Sequence, residues 1–163
     1  MRIRHWARTL KALLLFLRID WLLARRGFAA TCRWVQERPT NYRPTFDGDP
    51  LPAFEAVQSA TRLYVRWRRD CLPKALTTFK LLQQAGAPAV MCMGVRHFPF
   101  EAHAWVECSG VVLDDRPSRI QSYKILRRLR SPEAQEPQRS QGAPGSHGLT
   151  DPDTGLAGVE GAA

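Results

Sequence analysis

Ile3, Trp6, Leu10, Leu13, Leu14, Leu17, Trp21 and Ala24 follow one another mostly at three- and four-residue steps, the spacing of one face of an α-helix. Arg4, Arg8, Lys11, Arg18 and Arg25 fall largely off that stripe. The pattern predicts an amphipathic helix ending near Gly27. Its apolar face either packs on the body of the protein or, given the tryptophans and basic neighbours, docks on a membrane surface or a partner. Residues 37–52 contain four prolines and several turn formers, so they read as a connector. A second helix follows, with Phe54, Val57, Ala60, Tyr64 and Trp67 on one face; four residues further lies Cys71.

The third helix begins there. Pro73 suits a first helical turn, where its missing N–H costs nothing. Leu72, Ala75, Leu76, Phe79 and Leu82 form the inward stripe, and Lys74, Lys80, Gln83 and Gln84 are expected to point away. Gly86 ends the helix and Pro88 prevents its return. Ala89 to Val95 is apolar on both alternations, as expected of a central strand covered on both faces. His97–Phe100 is a loop, because Pro99 cannot donate to a ladder. Ala102–Glu107 and Val111–Leu113 read as strands, and Lys124–Arg130 as a short basic helix.

Size and composition bound the picture. A chain of 163 residues supports one modest core. From residue 131 onward Pro, Gly, Gln, Ser and Ala dominate, and such a segment buries too little surface to offset chain entropy. The expected organisation is an N-terminal helix and connector over 1–52, a folded domain over 53–130 and a disordered tail over 131–163. The net charge is +9, and the tail's Arg139, Glu133, Glu136, Asp151, Asp153 and Glu160 bring −4, which leaves +13 on residues 1–130. Such a surface attracts nucleic acid, anionic lipid or an acidic peptide. Trp67 stands among Arg66, Arg68 and Arg69, a pattern that can stack bases, but its place on the apolar face favours burial, and no nucleic acid is expected. The apolar run Ala12–Leu17 is too short for a signal core or a membrane span. The four cysteines form no CxxC pair, which suits free thiols in a reducing cytoplasm. A zinc set of Cys92, His97, His103 and Cys108 matches no standard spacing.

Candidate chemistry then concentrates on three positions. Cys71 sits at a helix N-terminus, where the helix dipole and a nearby imidazolium would both favour the thiolate. His103 lies within a strand and needs a carboxylate to fix its tautomer. A two-residue hairpin loop, Ser109-Gly110, would bring Asp114 to the side of His103. A three-residue loop, Cys108-Ser109-Gly110, would bring Asp115, and Gly110 in the last place of such a loop favours that register. Cys32, Cys92 and Cys108 read as structural thiols, and His97 has no strand to orient it.

The residues Cys71-Leu72-Pro73-Lys74-Ala75, Gly94-Val95-Arg96 and Pro99-Phe100-Glu101-Ala102-His103-Ala104-Trp105-Val106-Glu107 together resemble one family. It is the transglutaminase-like domain of lasso peptide biosynthesis, the microcin-processing leader peptidase. The resemblance covers about residues 55–118. It implies an α+β, papain/transglutaminase-like cysteine peptidase core: a helix packed on a small antiparallel sheet, here preceded by N-terminal helices. It implies Cys71 as nucleophile, His103 as base and Asp115, twelve residues after the histidine, as the acid. Lys74 stands where arginine is common, and the acid pair Asp114-Asp115 stands where one acid follows a neutral residue. The implied activity removes the leader from a ribosomally made precursor and frees the core amine. A separate cyclase then uses ATP to close the ring, so no cofactor is implied here. The implied partners are the precursor leader peptide, a separate leader-recognition protein and that lasso cyclase. A transglutaminase-type acyltransferase with the same triad, and a basic nucleic-acid-binding protein, are the alternatives.

Overall fold

The computed structural model describes residues 2–38, 42, 44–64, 71–113 and 115–135. Helix α1 (Arg2–Gln36) forms as expected but runs beyond Gly27. Gly27 holds φ 75° and ψ 176°, a conformation open to glycine and strained for other residues, so the helix breaks there and resumes. The second segment carries Thr31, Cys32 and Val35 into the core, which explains why the chain does not leave the body at the glycine.

The orientation of α1 differs from the expectation. Trp6, Leu10, Leu14, Leu17 and Trp21 face solvent, whereas Ala12, Phe16, Ile19 and Leu22 are buried. The reason is packing distance. Helix α2 (Leu51–Tyr64) meets α1 through Ala56, Val57 and Ala60 against Ala12. Small side chains let the two backbones approach, and a row of tryptophan and leucine would hold them apart. The start of α2 is capped by Asp49, whose Oδ1 accepts the Leu51 N–H at 2.9 Å. Val57 and Ala60 lie on its inner face as expected; the Tyr64 side chain and Trp67 fall outside what is described.

Helix α3 (Cys71–Ala85) presents Ala75, Leu76, Phe79 and Leu82 to the core. Gly86, at φ 88°, reverses the chain, and Ala87 N–H donates to Leu82 C=O at 2.9 Å. Lys80 and Gln83 do not point away; both are buried. Lys80 Nζ donates to the Val35 carbonyl (3.0 Å), to the Glu37 carbonyl and to Gln83 Oε1 (3.0 Å), while Gln83 Nε2 donates to the Gln36 carbonyl at 2.8 Å. These two side chains satisfy carbonyls at the end of α1 that helix geometry leaves unpaired. Burial pushes the lysine down to about 8, which still leaves it charged at neutral pH.

Strands β1 (Ala89–Arg96), β2 (Glu101–Cys108), β3 (Val111–Val112) and β4 (Lys124–Arg130) form one antiparallel sheet in the order β3-β2-β1-β4. β1 is central, as its two-sided apolar pattern requires. One face, with Met91, Ala104, Val106, Cys108 and Leu129, packs on α3. The other carries Cys92, Trp105 and Tyr123, with Val112, Ile120 and Ile125 beside them. Residues 124–130 are therefore a strand and not a helix. Gly94 pairs with Ile125 and Met93 with Arg127, so Leu126 is the extra residue of a bulge and projects outward. Ile125 and Leu129 consequently serve opposite faces. Helix α4 (Pro117–Ile120) links β3 to β4.

Residues 131–135, expected to belong to the tail, pack on the body. Ser131 Oγ donates to the Ala87 carbonyl at 2.9 Å and accepts the Ala89 N–H at 3.0 Å. Glu133 accepts from Tyr42 Oη at 2.7 Å and from Arg38. The remainder of the expected tail lies outside the described residues.

Candidate active site

The three elements that carry the candidate residues meet where the sheet runs out. His103 follows Trp105 on the sheet face away from the α3 core, because side chains alternate along a strand. Leu113 N–H bonds the Val106 carbonyl at 3.0 Å, so on that parity the backbone of β2 points toward β3. β3 stops at Val112, and the Ala104 N–H beyond it meets a different group, the thiol of Cys71. The start of α3 thus approaches the open border of β2, where sulfur and imidazole reach each other around the sheet edge.

The electrostatics are mutual. A hydrogen bond with His103 is the main reason the Cys71 thiol is held below its ordinary value; burial opposes it, and the Ala104 and Cys71 N–H groups assist. The same bond to Cys71 raises His103, against its own burial, with the Asp115 carboxylate helping and the Arg119 guanidinium opposing. Each group thus favours the charged form of the other, as expected of two sites that titrate together. The other thiols show the contrast: burial raises Cys32 and Cys108, and pushes Cys92 up to about 11.

Asp115 is the acid that meets the imidazole. His103 Nε2 lies 3.0 Å from Asp115 Oδ2, within ion-pair distance, although the two make no hydrogen bond. The register that favoured this aspartate is corrected, however. Cys108 pairs with Val111 and Glu107 with Val112, so the hairpin loop is only Ser109-Gly110, with φ of 51° and 80°. Two positive φ values make the I′-type turn that matches strand twist. Asp115 still reaches His103 because pairing ends at Val112 and the chain leaves the ladder before the acid. Asp114 lies outside the described residues.

Sequence reasoning missed the groups that hold this acid. Arg119 Nη1 lies 3.0 Å from Asp115 Oδ2, the oxygen that also faces His103, and its Nη2 lies 2.7 Å from Glu101 Oε1. The Arg116 N–H donates to Asp115 Oδ1 at 2.7 Å. The four-residue spacing of Asp115 and Arg119 was a readable signal. Trp105 stacks at 6.0 Å from the His103 ring, and Tyr123 lies at 5.5 Å on a tilted plane. Trp105 Nε1 is itself fixed by Glu107 at 2.8 Å. Of the other candidates, His97 is exposed in the β1–β2 turn, and Cys92 and Cys108 occupy opposite faces of the sheet.

A helix-start thiol beside a strand imidazole, on a small antiparallel sheet, defines a class, and residues 13–128 match the model of the transglutaminase-like superfamily, so the chain belongs to that superfamily. The matched region begins inside α1, includes α2 and ends inside β4. Over 60 residues the chain is 30% identical to the "Microcin J25-processing protein McjB" of Escherichia coli, a stretch that covers 37% of this chain and 29% of that protein. The chain thus matches less than a third of that relative's length. No solved structure matches.

Proposed function

We propose that the protein is a cysteine peptidase that removes the leader from a ribosomally made lasso precursor peptide, with Cys71 as nucleophile, His103 as general base and acid, and Asp115 as its orienting carboxylate. The observation that carries this reading is the coupled Cys71–His103 pair with Asp115 Oδ2 at 3.0 Å from the ring. Superfamily membership and the likeness to a microcin-processing protein support it.

The thiolate attacks the last leader carbonyl and forms a tetrahedral oxyanion, for which backbone N–H groups at the start of α3 are natural donors. Collapse breaks the C–N bond, and the imidazolium passes its proton to the departing core amine. Water then attacks the thioester as His103 takes its proton; the acyl–sulfur bond breaks and the leader leaves as a carboxylic acid. Asp115 stabilises the imidazolium each time it forms. Arg119 and the Arg116 N–H hold that carboxylate in place. The freed amine is the group a separate ATP-using cyclase would join to a side-chain carboxyl. A separate leader-recognition protein would deliver the precursor.

Incubating the protein and its recognition partner with precursor peptide, followed by mass spectrometry, tests the reading. Two free peptides are expected, and Cys71→Ala should abolish them while circular dichroism stays unchanged. A conjugate of the leader with an added amine, in place of free leader acid, would make the protein an acyltransferase. Full-rate cleavage by the alanine variant would end the proposal.

A further inference from the structure

Helix α1 is apolar on two opposite faces, and the core uses only one. Ala12, Phe16 and Ile19 point inward. Trp6, Leu10, Leu14, Leu17 and Trp21 lie within about 80° of arc on the other side, at 100° per residue. Their exposure ranges from 38% at Leu17 to 64% at Trp6. At 1.5 Å per residue the stripe runs about 22 Å between its two terminal tryptophans. Leu63, exposed on α2, widens it at the Trp6 end, where a shallow groove is lined by Trp6, Leu10, Leu13 and Leu63. A contiguous apolar surface of this length marks a contact and not ordinary surface scatter.

One border of the stripe is basic. Lys11, Arg18 and Arg25 recur at seven-residue steps along it, all exposed, with Arg18 also stacked on Trp34 at 4.5 Å. Asp20 is the sole acid in the α1 sequence. We propose that this outer face of α1 seats the protein on an anionic lipid bilayer, with the helix lying in the plane of the interface. The chemistry is complementary at each layer. Leucines enter the acyl boundary, tryptophans sit at headgroup depth, and the basic row meets lipid phosphates while its alkyl stems extend the apolar strip. An antiparallel second copy fits poorly, because its basic row would lie beside this one. Among the described residues no helix is long and apolar enough to cross a membrane, so the contact is a surface one. It is independent of the proposed catalysis.

Co-sedimentation of the full chain with vesicles tests this. Vesicles containing phosphatidylglycerol should bind it at least about tenfold more tightly than pure phosphatidylcholine vesicles. The triple variant Trp6→Ser/Leu10→Ser/Leu14→Ser should lose about tenfold or more of that binding, and so should Lys11→Glu/Arg18→Glu/Arg25→Glu. Should the serine variant misfold, the volume-conserving W6F and W21F variants serve instead, each removing part of the blue shift in tryptophan emission that vesicles induce. Three results would overturn the proposal: a wild-type protein that ignores anionic vesicles, unchanged binding by the folded serine variant, or a wild-type dimer that the serine substitutions dissolve.

Discussion

The two ends of α3 are built for opposite purposes. At its C-terminal half, Lys80 and Gln83 are buried and stitch the helix to the carbonyls at the end of α1, and Gly86 closes the last turn. At its N-terminal end, Cys71 is only partly covered, and its sulfur meets groups from a different element, His103 and the Ala104 N–H. One end supplies anchorage and the other presents the candidate nucleophile. The lesson is that one helix can keep its anchoring polar contacts and its candidate site apart, so that either can be altered without the other.

Four substitutions break or sharpen that contrast. Cys71→Ala should reduce leader cleavage by about 10⁴-fold or more, the scale seen when a nucleophile is removed, with little change in melting temperature. Asp115→Asn should cost about 10²–10³-fold in kcat/KM, since the ring loses its orienting charge. It should also move the alkaline limb of the pH profile. Asp115 raises His103, so its removal lets the imidazolium lose its proton at lower pH, and that limb moves down. At the other end of the helix, Lys80→Met should destabilise the fold by about 1–3 kcal/mol, because the carbonyls of Val35 and Glu37 lose their donor inside the protein. Urea unfolding would measure this, and the fraction that remains folded should keep near-normal kcat/KM. Arg119→Gln is the smallest and most diagnostic change. Arg119 opposes the charge on His103, so its loss should move the alkaline limb up, opposite in sign to Asp115→Asn, with kcat/KM falling only about two- to tenfold as Asp115 loses a support. Two shifts in the same direction would show that the arginine acts on the aspartate's position alone.

The legible parts of the sequence were those where one local rule dominates. Pro73 after Cys71, the inward stripe from Ala75 to Leu82 and the stop at Gly86 define α3. The two-sided apolar run from Ala89 defines the central strand. The illegible parts were those settled by contacts between distant segments. The α1 stripe looked like the buried face because periodicity registers apolar residues without saying which side has small neighbours; the alanines at 12, 56 and 60 decided it. β4 looked helical because the bulge at Leu126 breaks strand alternation and leaves Ile125 and Leu129 four residues apart. Lys80 and Gln83 looked like a solvated face because the carbonyls they satisfy lie more than forty residues away. At the site, Cys71 and His103 stood out from their settings. Asp115 was reached by the wrong register for the loop, since a ladder rule was extended past the point where the ladder ends.

The position of Asp115 beyond the last paired residue has a bearing on how the chain comes into being. Sulfur, ring and carboxylate sit on a helix, a strand and a turn that meet only through long-range contacts, and the carboxylate is the last of them to be synthesised. A nascent polypeptide that has not yet closed these contacts holds Cys71 as an ordinary, mostly protonated thiol. The groups that lower it, the His103 ring and the Ala104 N–H, reach it only once helix and sheet have packed, so the shift arises with the completed tertiary structure.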